Sequence, residues 1–418
     1  MPAPSTLAAA EAAAASPTPE AAIPLYISVL TNPEEGDKVQ QDKEKALTHL
    51  ADLYKQQGDA KALASLVQDS RPLLASLPKA KAAKILKSLI DAFPEGSESL
   101  NHQIAACREA VEWASSTSRV FLRQQLETRL ISLLLTSQAY NETLTMVSSL
   151  LRELKRLDDK MALVEVHLLE SRAFHALRNL PKARAASTAA RTNANAIYVP
   201  PVLQAELDLQ SGLLLADERD FRTAFSYFIE AMEAFNTLED PRVRKAIKYM
   251  LLCKVMQGSP EDVAGILASK PGIRWAGPGT EAMTAVAEAG KARSLEAFEK
   301  ALSQYGQELR EDPVVRRHLS SLYDALLEGN VLRCIEPYER VEVTHIAKLL
   351  KLPLAQVESK LSQMILDKQF YGVLDQGAGC LVIYDKPTTD ETYESTLITL
   401  KHMGDVVDSL YEKAAKLT

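Results

Sequence analysis

The 418-residue sequence contains no run of eighteen apolar residues, no Cys-x-x-Cys pair, and no Lys or Arg before Lys38. The first absence means that no membrane-spanning helix is expected. The second removes the usual spacing of a zinc site or a redox dithiol. The four cysteines (Cys107, Cys253, Cys334 and Cys380) lie far apart, a pattern that suits a reducing compartment, cytoplasm or nucleus. The third concerns the Ala-, Pro-, Ser- and Thr-rich residues 1–22. Without a basic n-region or transit-peptide arginines, this stretch reads as a disordered tail and not as a targeting signal.

Catalytic signatures are equally scarce. Gly277-Pro278-Gly279 with Ala282 is a loose dinucleotide-binding string, but it lacks the preceding strand and is read as a loop. Ser76-Leu77-Pro78-Lys79 lacks the companion boxes of a serine acyl-enzyme. His167 and His175 stand eight residues apart on one expected helix, without an HExxH or Cys/His cluster, and are read as solvated or core-edge residues. The pairs Glu34-Glu35 and Asp158-Asp159 fall in turns or on exposed helix faces, with no cleft to split their pKa values. No enzyme, cofactor, metal or small-molecule site is therefore expected. A net charge of −7 argues against a phosphate-binding surface.

What the chain does contain is repetition. Turn formers recur at Gly58-Asp59, Gly96-Ser97, Gln138-Ala139, Asn179-Leu180-Pro181, Arg219-Asp220 and Gly258-Ser259-Pro260. The step is roughly forty residues, within the range of helix-pair repeats. Each joint separates two stretches with apolar residues at three- and four-residue spacing. Ala62, Ala183 and Thr223 or Ala224 follow the turns at matching offsets and let the paired helices approach closely. One pair cannot bury its apolar face alone, so stacking into a solenoid is expected. A non-repetitive helical domain with evenly sized helices is the alternative.

The last hundred residues change character. Asp312-Pro313 is a strong helix start, an N-cap acceptor followed by Pro. The helix is expected to stop at Gly329-Asn330, with a short strand from Val331 to Ile335. Helices over Val343–Leu350 (buried Ile346, Leu349, Leu350) and Leu354–Asp367 (buried Leu354, Val357, Leu361, Met364, Ile365) follow. A hairpin, Gly372–Leu374 and Cys380–Tyr384, turns at the glycine-rich Asp375–Gly379. Together these form a winged helix over 331–385. A DNA reader needs basic and amide side chains on its second helix. This helix offers only Lys360, with Lys368 just beyond it, against Glu358 and Asp367, and the wing tip carries no cation. The hairpin edge, with Val373, Leu374, Leu381 and Ile383, suits strand pairing with a neighbouring chain instead. After Lys386-Pro387, Leu400, Met403, Val407, Leu410, Ala414 and Leu417 alternate three- and four-residue steps, the seam of a coiled coil or bundle. Folding back on its own domain is the other use for such a helix.

Several stretches carry a family resemblance: LLRELKRLDDK (150–160), NLPKARAASTAARTNANAIYVPP (179–201), RSLEAFEKAL (293–302), KLSQMILDKQFYGVLDQGAG (360–379) and VVDSLYEKAAKLT (406–418). From about Lys43 onward the chain resembles the non-ATPase regulatory subunit 11 family of the 26S proteasome lid, scaffold proteins with a PCI domain. The resemblance implies a mostly α fold: a right-handed, TPR-like helical-repeat solenoid, then a winged-helix (PCI) module and a C-terminal helix. It implies an arm over 23–219, a PCI domain over 220–388 and a bundle helix over 389–418. It further implies a non-catalytic scaffold that clamps the regulatory particle to the 20S core and supports lid assembly for ubiquitin-dependent degradation. The implied partners are other lid PCI subunits, the α-ring of the 20S core and the ATPase ring of the base, with no nucleic acid and no membrane. PCI subunits of the COP9 signalosome or of eukaryotic translation initiation factor 3 share this architecture and stay open as alternatives. From other classes, a winged-helix DNA-binding regulator and an enzyme hidden in the helical groove are the rivals.

Overall fold

The computed structural model describes residues 22–30, 37–94, 96–310, 312–350, 352–385 and 391–415. The expected tail falls outside this set apart from Ala22, as do Glu34-Glu35, Lys386-Pro387 and Leu417. The chain forms a helical solenoid, a winged-helix module and a terminal helix. It divides into two compact units, Met1–Gln257 with Ile266–Thr280, and Gly258–Gly265 with Glu281–Thr418. The joint at Arg219-Asp220 lies inside the first.

The first unit opens with α1 (Ile23–Leu30), α2 (Asp37–Gln57), α3 (Ala60–Asp69), α4 (Arg71–Ser76) and α5 (Lys79–Asp91). Longer helices follow: α6 (Ser97–Ser116), α7 (Val120–Thr136), α8 (Tyr140–Leu157), α9 (Lys160–Ala176) and α10 (Leu180–Ala194). They continue with α11 (Pro201–Asp217), α12 (Phe221–Thr237) and α13 (Val243–Met256). Two short helices, α14 (Asp262–Leu267) and α15 (Lys270–Arg274), then lead to α16 (Pro278–Ala292). Gly277-Pro278-Gly279 thus opens a helix, where a loop was expected.

The turns share a chemical pattern. Gly58, Asp158, Arg178 and Arg219 each adopt a positive φ, between 54° and 74°. Each is followed by a residue whose side chain caps the next helix: Asp59, Asp159, Asn179 and Asp220 accept backbone N–H groups two or three residues on. The left-handed residue ends one helix, and the cap satisfies N–H groups that the next leaves unpaired. Ser118, Gln138 and Glu239 also take positive φ. The turns at Ser118, Asp158 and Glu239 were not among the expected joints.

Two kinds of helix alternate. In α8 the buried residues Thr143, Val147, Leu150, Leu151 and Leu154 make one stripe, as expected for a helix covered on one side. α9 buries Leu163, Val164, Val166, His167, Leu168 and Leu169 in near succession. Its Leu163, Val166 and Leu169 join the α8 cluster with Ile131 of α7, whereas Val164 and Leu168 pack on Ala190 and Ala194 of its partner α10 and on Leu207 of α11. α9 is therefore core on two sides. α7 behaves alike: Leu126, Leu130 and Leu134 face the preceding cluster and Ile131 the next.

The paired helices meet over small side chains. Ala183 and Ala224 are fully buried, four residues after their caps, and Ser171 donates to the Ala183 carbonyl at 2.9 Å. Ala62 is only half-buried, and Leu63 takes the equivalent place. Gly212 on α11 is required by a close approach. A Cβ there would stand 2.7 Å from the Phe228 ring of α12. Arginine–carboxylate pairs link successive repeats, including Arg71–Glu109, Arg108–Glu142, Arg172–Glu206 and Arg274–Glu239, with partners 34 to 38 residues apart.

The second unit contains most of α16, then α17 (Leu295–Gln304), α18 (Gly306–Arg310) and α19 (Pro313–Ile335). The winged helix follows as β1 (Arg340–Glu342), α20 (Val343–Leu350), α21 (Leu354–Leu366), β2 (Tyr371–Asp375) and β3 (Cys380–Tyr384). Its antiparallel sheet has the order β1-β3-β2. Asp312 caps α19 by accepting from Val314 N–H at 3.1 Å. The expected strand over Val331–Ile335 is instead the last part of α19, and the first strand lies five residues further on. Leu327, Val331 and Ile335 recur every four residues and enter the winged-helix core, so the helix period wins over the β-branched composition. Gly329 sits mid-helix with open space where a Cβ would be and stops nothing. α20 and α21 lie where expected, but Leu349 and Leu354 are exposed. Val343 and Ala347 join Ile346 inside.

The Gly212–Phe228 contact generates a test. Gly212→Val should lower the stability of the first unit by about 1–3 kcal/mol through overpacking, read as an earlier urea midpoint. Unchanged unfolding would mean that α11 and α12 do not pack this closely.

Candidate protein-interaction surfaces

The terminal helix, α22 (Glu391–Ala415), exposes every side chain from Thr392 to Ala415. Leu400, Met403, Val407 and Leu410 are 59–62% exposed, and Ala414 is exposed beside them. The seam read from the sequence thus stands open to solvent, not folded back on its own unit. The structure adds Tyr393, one heptad before Leu400, and Leu397, Val406 and Tyr411 beside the strict three-four pattern, all exposed. At 3.6 residues per turn these side chains cover about half of the helix circumference. That is wider than a two-helix seam and suits contact with more than one neighbour.

The hairpin residues divide. Leu381 is fully buried in the module's own core, and Leu374 and Ile383 pack against that core. Val373 points outward and is 54% exposed. A docking role for this quartet therefore narrows to Val373 and the backbone of β2, whose only ladder partner among the described residues is β3. Tyr384, opposite Tyr371 in the register, is also exposed.

The second helix of the winged motif, α21, contains a single cation, Lys360. Its ammonium lies 2.9 Å from Glu328 Oε1 and 3.5 Å from Asp324 Oδ1 on α19. Gln369 Nε2 donates to Glu328 at 2.8 Å. Burial opposes charge on Glu328, but the hydrogen bonds from Gln369 and Lys360 outweigh it and hold the carboxyl below its usual value. Burial likewise opposes charge on Lys360, and its two carboxylate partners outweigh that and raise its pKa. The one positive charge that a nucleic-acid backbone would need on α21 is spent inside the module. The wing itself is a tight turn, with Gly379 at φ +63° and Ala378 N–H donating to Asp375.

The remaining titratable residues do not converge. His167 and His175 are buried, and each has its own carboxylate: His167 Nδ1 lies 2.8 Å from Glu170, and His175 Nε2 2.8 Å from Asp217. Solvated positions were one expectation for them, and the structure places both inside. Burial pushes the Cys107 and Cys253 thiols up to about 12, far from reactive thiolates. Among the described residues no group of three His, Cys, Asp or Glu side chains could hold a metal ion, and no helix is long and apolar enough to cross a membrane.

This arrangement has close counterparts. Residues 3–137 match the family profile of the 26S proteasome regulatory subunit RPN6 N-terminal domain. Residues 302–385 match the PCI domain, and residues 389–415 match the 26S proteasome subunit RPN6 C-terminal helix domain. The chain is 54% identical to a probable 26S proteasome regulatory subunit rpn6 of Schizosaccharomyces pombe, over 95% of this chain and 94% of the relative. It is 52% identical to a 26S proteasome non-ATPase regulatory subunit 11 homolog of Arabidopsis thaliana, with the same coverage. Identity to the Saccharomyces cerevisiae 26S proteasome regulatory subunit RPN6 is 45%, over 91% of this chain and 89% of the relative.

The Lys360–Glu328 bridge generates a prediction. Lys360→Met or Glu328→Gln should each destabilise the second unit by about 1–2 kcal/mol, and the double variant by less than the sum. Glu328 has a folded pKa below its unfolded one. Its contribution is thus present above the ordinary carboxylate range and lost as the pH falls through the folded value. Denaturation followed from pH 7 downward should show the gap between wild type and Glu328→Gln closing in acid. A gap that persists in acid would remove the charge from the explanation.

Proposed function

The chain belongs to the 26S proteasome regulatory subunit Rpn6 family, and from that premise we propose that it is a non-catalytic scaffold of the proteasome lid. It clamps the regulatory particle to the 20S core and supports lid assembly for ubiquitin-dependent degradation. The observation that carries this reading is α22, a helix of 25 residues with a broad apolar face open to solvent. An exposed patch of that size marks a protein interface. Its neighbours in this reading are the C-terminal helices of other lid subunits.

The division of labour follows the expected domain scheme. Residues 23–219 form a reaching arm that contacts the α-ring of the 20S core and the ATPase ring of the base. Residues 220–388 act as the PCI domain and pack laterally on neighbouring PCI subunits through the outer edge of β2. Residues 389–418 fasten the subunit into the helical bundle. The protein works in cytoplasm and nucleus. The proteasomal names of its relatives favour this place over the COP9 signalosome and translation initiation factor 3. The internally neutralised Lys360 speaks against a DNA-binding regulator, and the dispersed titratable residues speak against an enzyme.

Two outcomes test the reading. Burial of one large apolar side chain contributes about 1.5–3 kcal/mol, so Leu410→Asp should reduce incorporation into the lid by at least about tenfold while the repeats stay folded. Quantitative co-purification with lid subunits measures this, and normal incorporation would dismiss the bundle helix. Removing the repeats before about residue 180 should weaken association with the 20S core and spare lateral lid contacts. Undiminished core binding would dismiss the clamp.

A further inference from the structure

Helices α5, α7, α9 and α11 together line an open groove of about 620 Å³ within the first unit, a size typical of sites that enclose a few side chains. Its apolar surface includes Met161, Val202 and Leu203, all at least partly accessible. Two ion pairs run along the groove: Arg129 with Asp91, and Arg172 with Glu206, each at 2.8 Å, and Glu206 is shared with Arg242. Glu165 is different. It lines the groove and is reached by solvent, but none of the ion pairs among the described residues uses it. Lys87, which lines the same groove, attracts it, while Glu206 and Asp159 repel it. Crowding by the groove walls raises its pKa first of all, and the two carboxylates add to that. A carboxylate held this way is favoured in its charged form by an incoming cation.

We propose that this groove receives an extended segment of a partner polypeptide, with a Lys or Arg on Glu165 and flanking apolar side chains against Met161, Val202 and Leu203. Charge complementarity selects that occupant. The chain's own first 37 residues contain no Lys or Arg and so offer Glu165 no basic side chain. Solenoids commonly bind ligands on the extended inner surface that their stacked helices create. The groove lies in the arm over residues 23–219, so the proposal rests on the scaffold reading and specifies the chemistry of one of its contacts; neither the apolar face of α22 nor the β2 edge contributes to it.

The test uses p-benzoylphenylalanine in place of Val202 in purified, assembled 26S particles, with irradiation and mapping of adducts by mass spectrometry. The expected adduct is one partner segment with a Lys or Arg within about two residues of the linked position. Normalised to incorporated subunit, its yield should fall at least about tenfold with Glu165→Lys, equivalent to 1.4 kcal/mol, and less with Glu165→Gln. Exchanging the partner's basic residue for Glu should restore the adduct to the Glu165→Lys particle. Adducts confined to this chain or to a second copy, or no adduct above that of the same probe at exposed Ser149 on α8, would overturn the proposal. So would a yield indifferent to both Glu165 variants. Each of these outcomes is independent of whether Leu410→Asp blocks incorporation.

Discussion

Every second helix in the repeats is apolar on two sides, and the rest of the structure depends on that. Val164 and Val166 of α9 are both fully buried, yet they belong to different clusters. No isolated helix pair can satisfy such a helix, because covering one side leaves the other in water. The next pair supplies the missing cover and in doing so presents a two-sided helix of its own. The core is thus passed from pair to pair and does not close around a centre. An exposed pair of charges contributes only about 0–1 kcal/mol, so the arginine–carboxylate links between repeats chiefly set the register of a stack that burial holds together.

A fold of this kind creates surface and little enclosure. The buried cysteines, the two histidines and the caps are all engaged in local structure, and the chemistry available to partners sits at the periphery. At one place the chain leaves an apolar helix wholly uncovered. At another it keeps a winged-helix shape while turning its one cation on α21 inward to Glu328 and Asp324. The shape of a nucleic-acid reader is preserved without its electrostatics, and what remains useful on that module is backbone edge and outward side chains such as Val373. Both features fit the scaffold role proposed above.

Much of this was legible in the residues. Gly58-Asp59, Asn179-Leu180-Pro181 and Arg219-Asp220 advertise their turns, because a cap acceptor accompanies a helix stop. Ser118 and Glu239 make turns that the forty-residue step passed over, although a Ser/Thr run and Asp240-Pro241 mark them. Val331–Ile335 misled for the opposite reason. Five residues of strand-like composition also fit the i, i+4 face of a long helix, and only the core beneath α19 chooses between the two. The alternating seam of α22 was visible, but its full width was not. Val406 and Tyr411 fall outside a strict three-four rule and join the face only once the helix is built.

Sequence by itself determined the repeat period, the helix-helix-hairpin order of the winged motif and the apolar seam of α22. These follow from local rules: turn chemistry, side-chain periodicity and residue inventory act over a few positions and survive without tertiary context. Only the tertiary structure decided that Leu381 is core and Val373 surface, that Lys360 is neutralised by α19, and that Glu165 stands without an ion-pair partner in a groove. Burial and charge pairing depend on which residues distant in sequence arrive within a few ångströms of each other. That proximity is a property of how the helices stack and is not carried by any one of them.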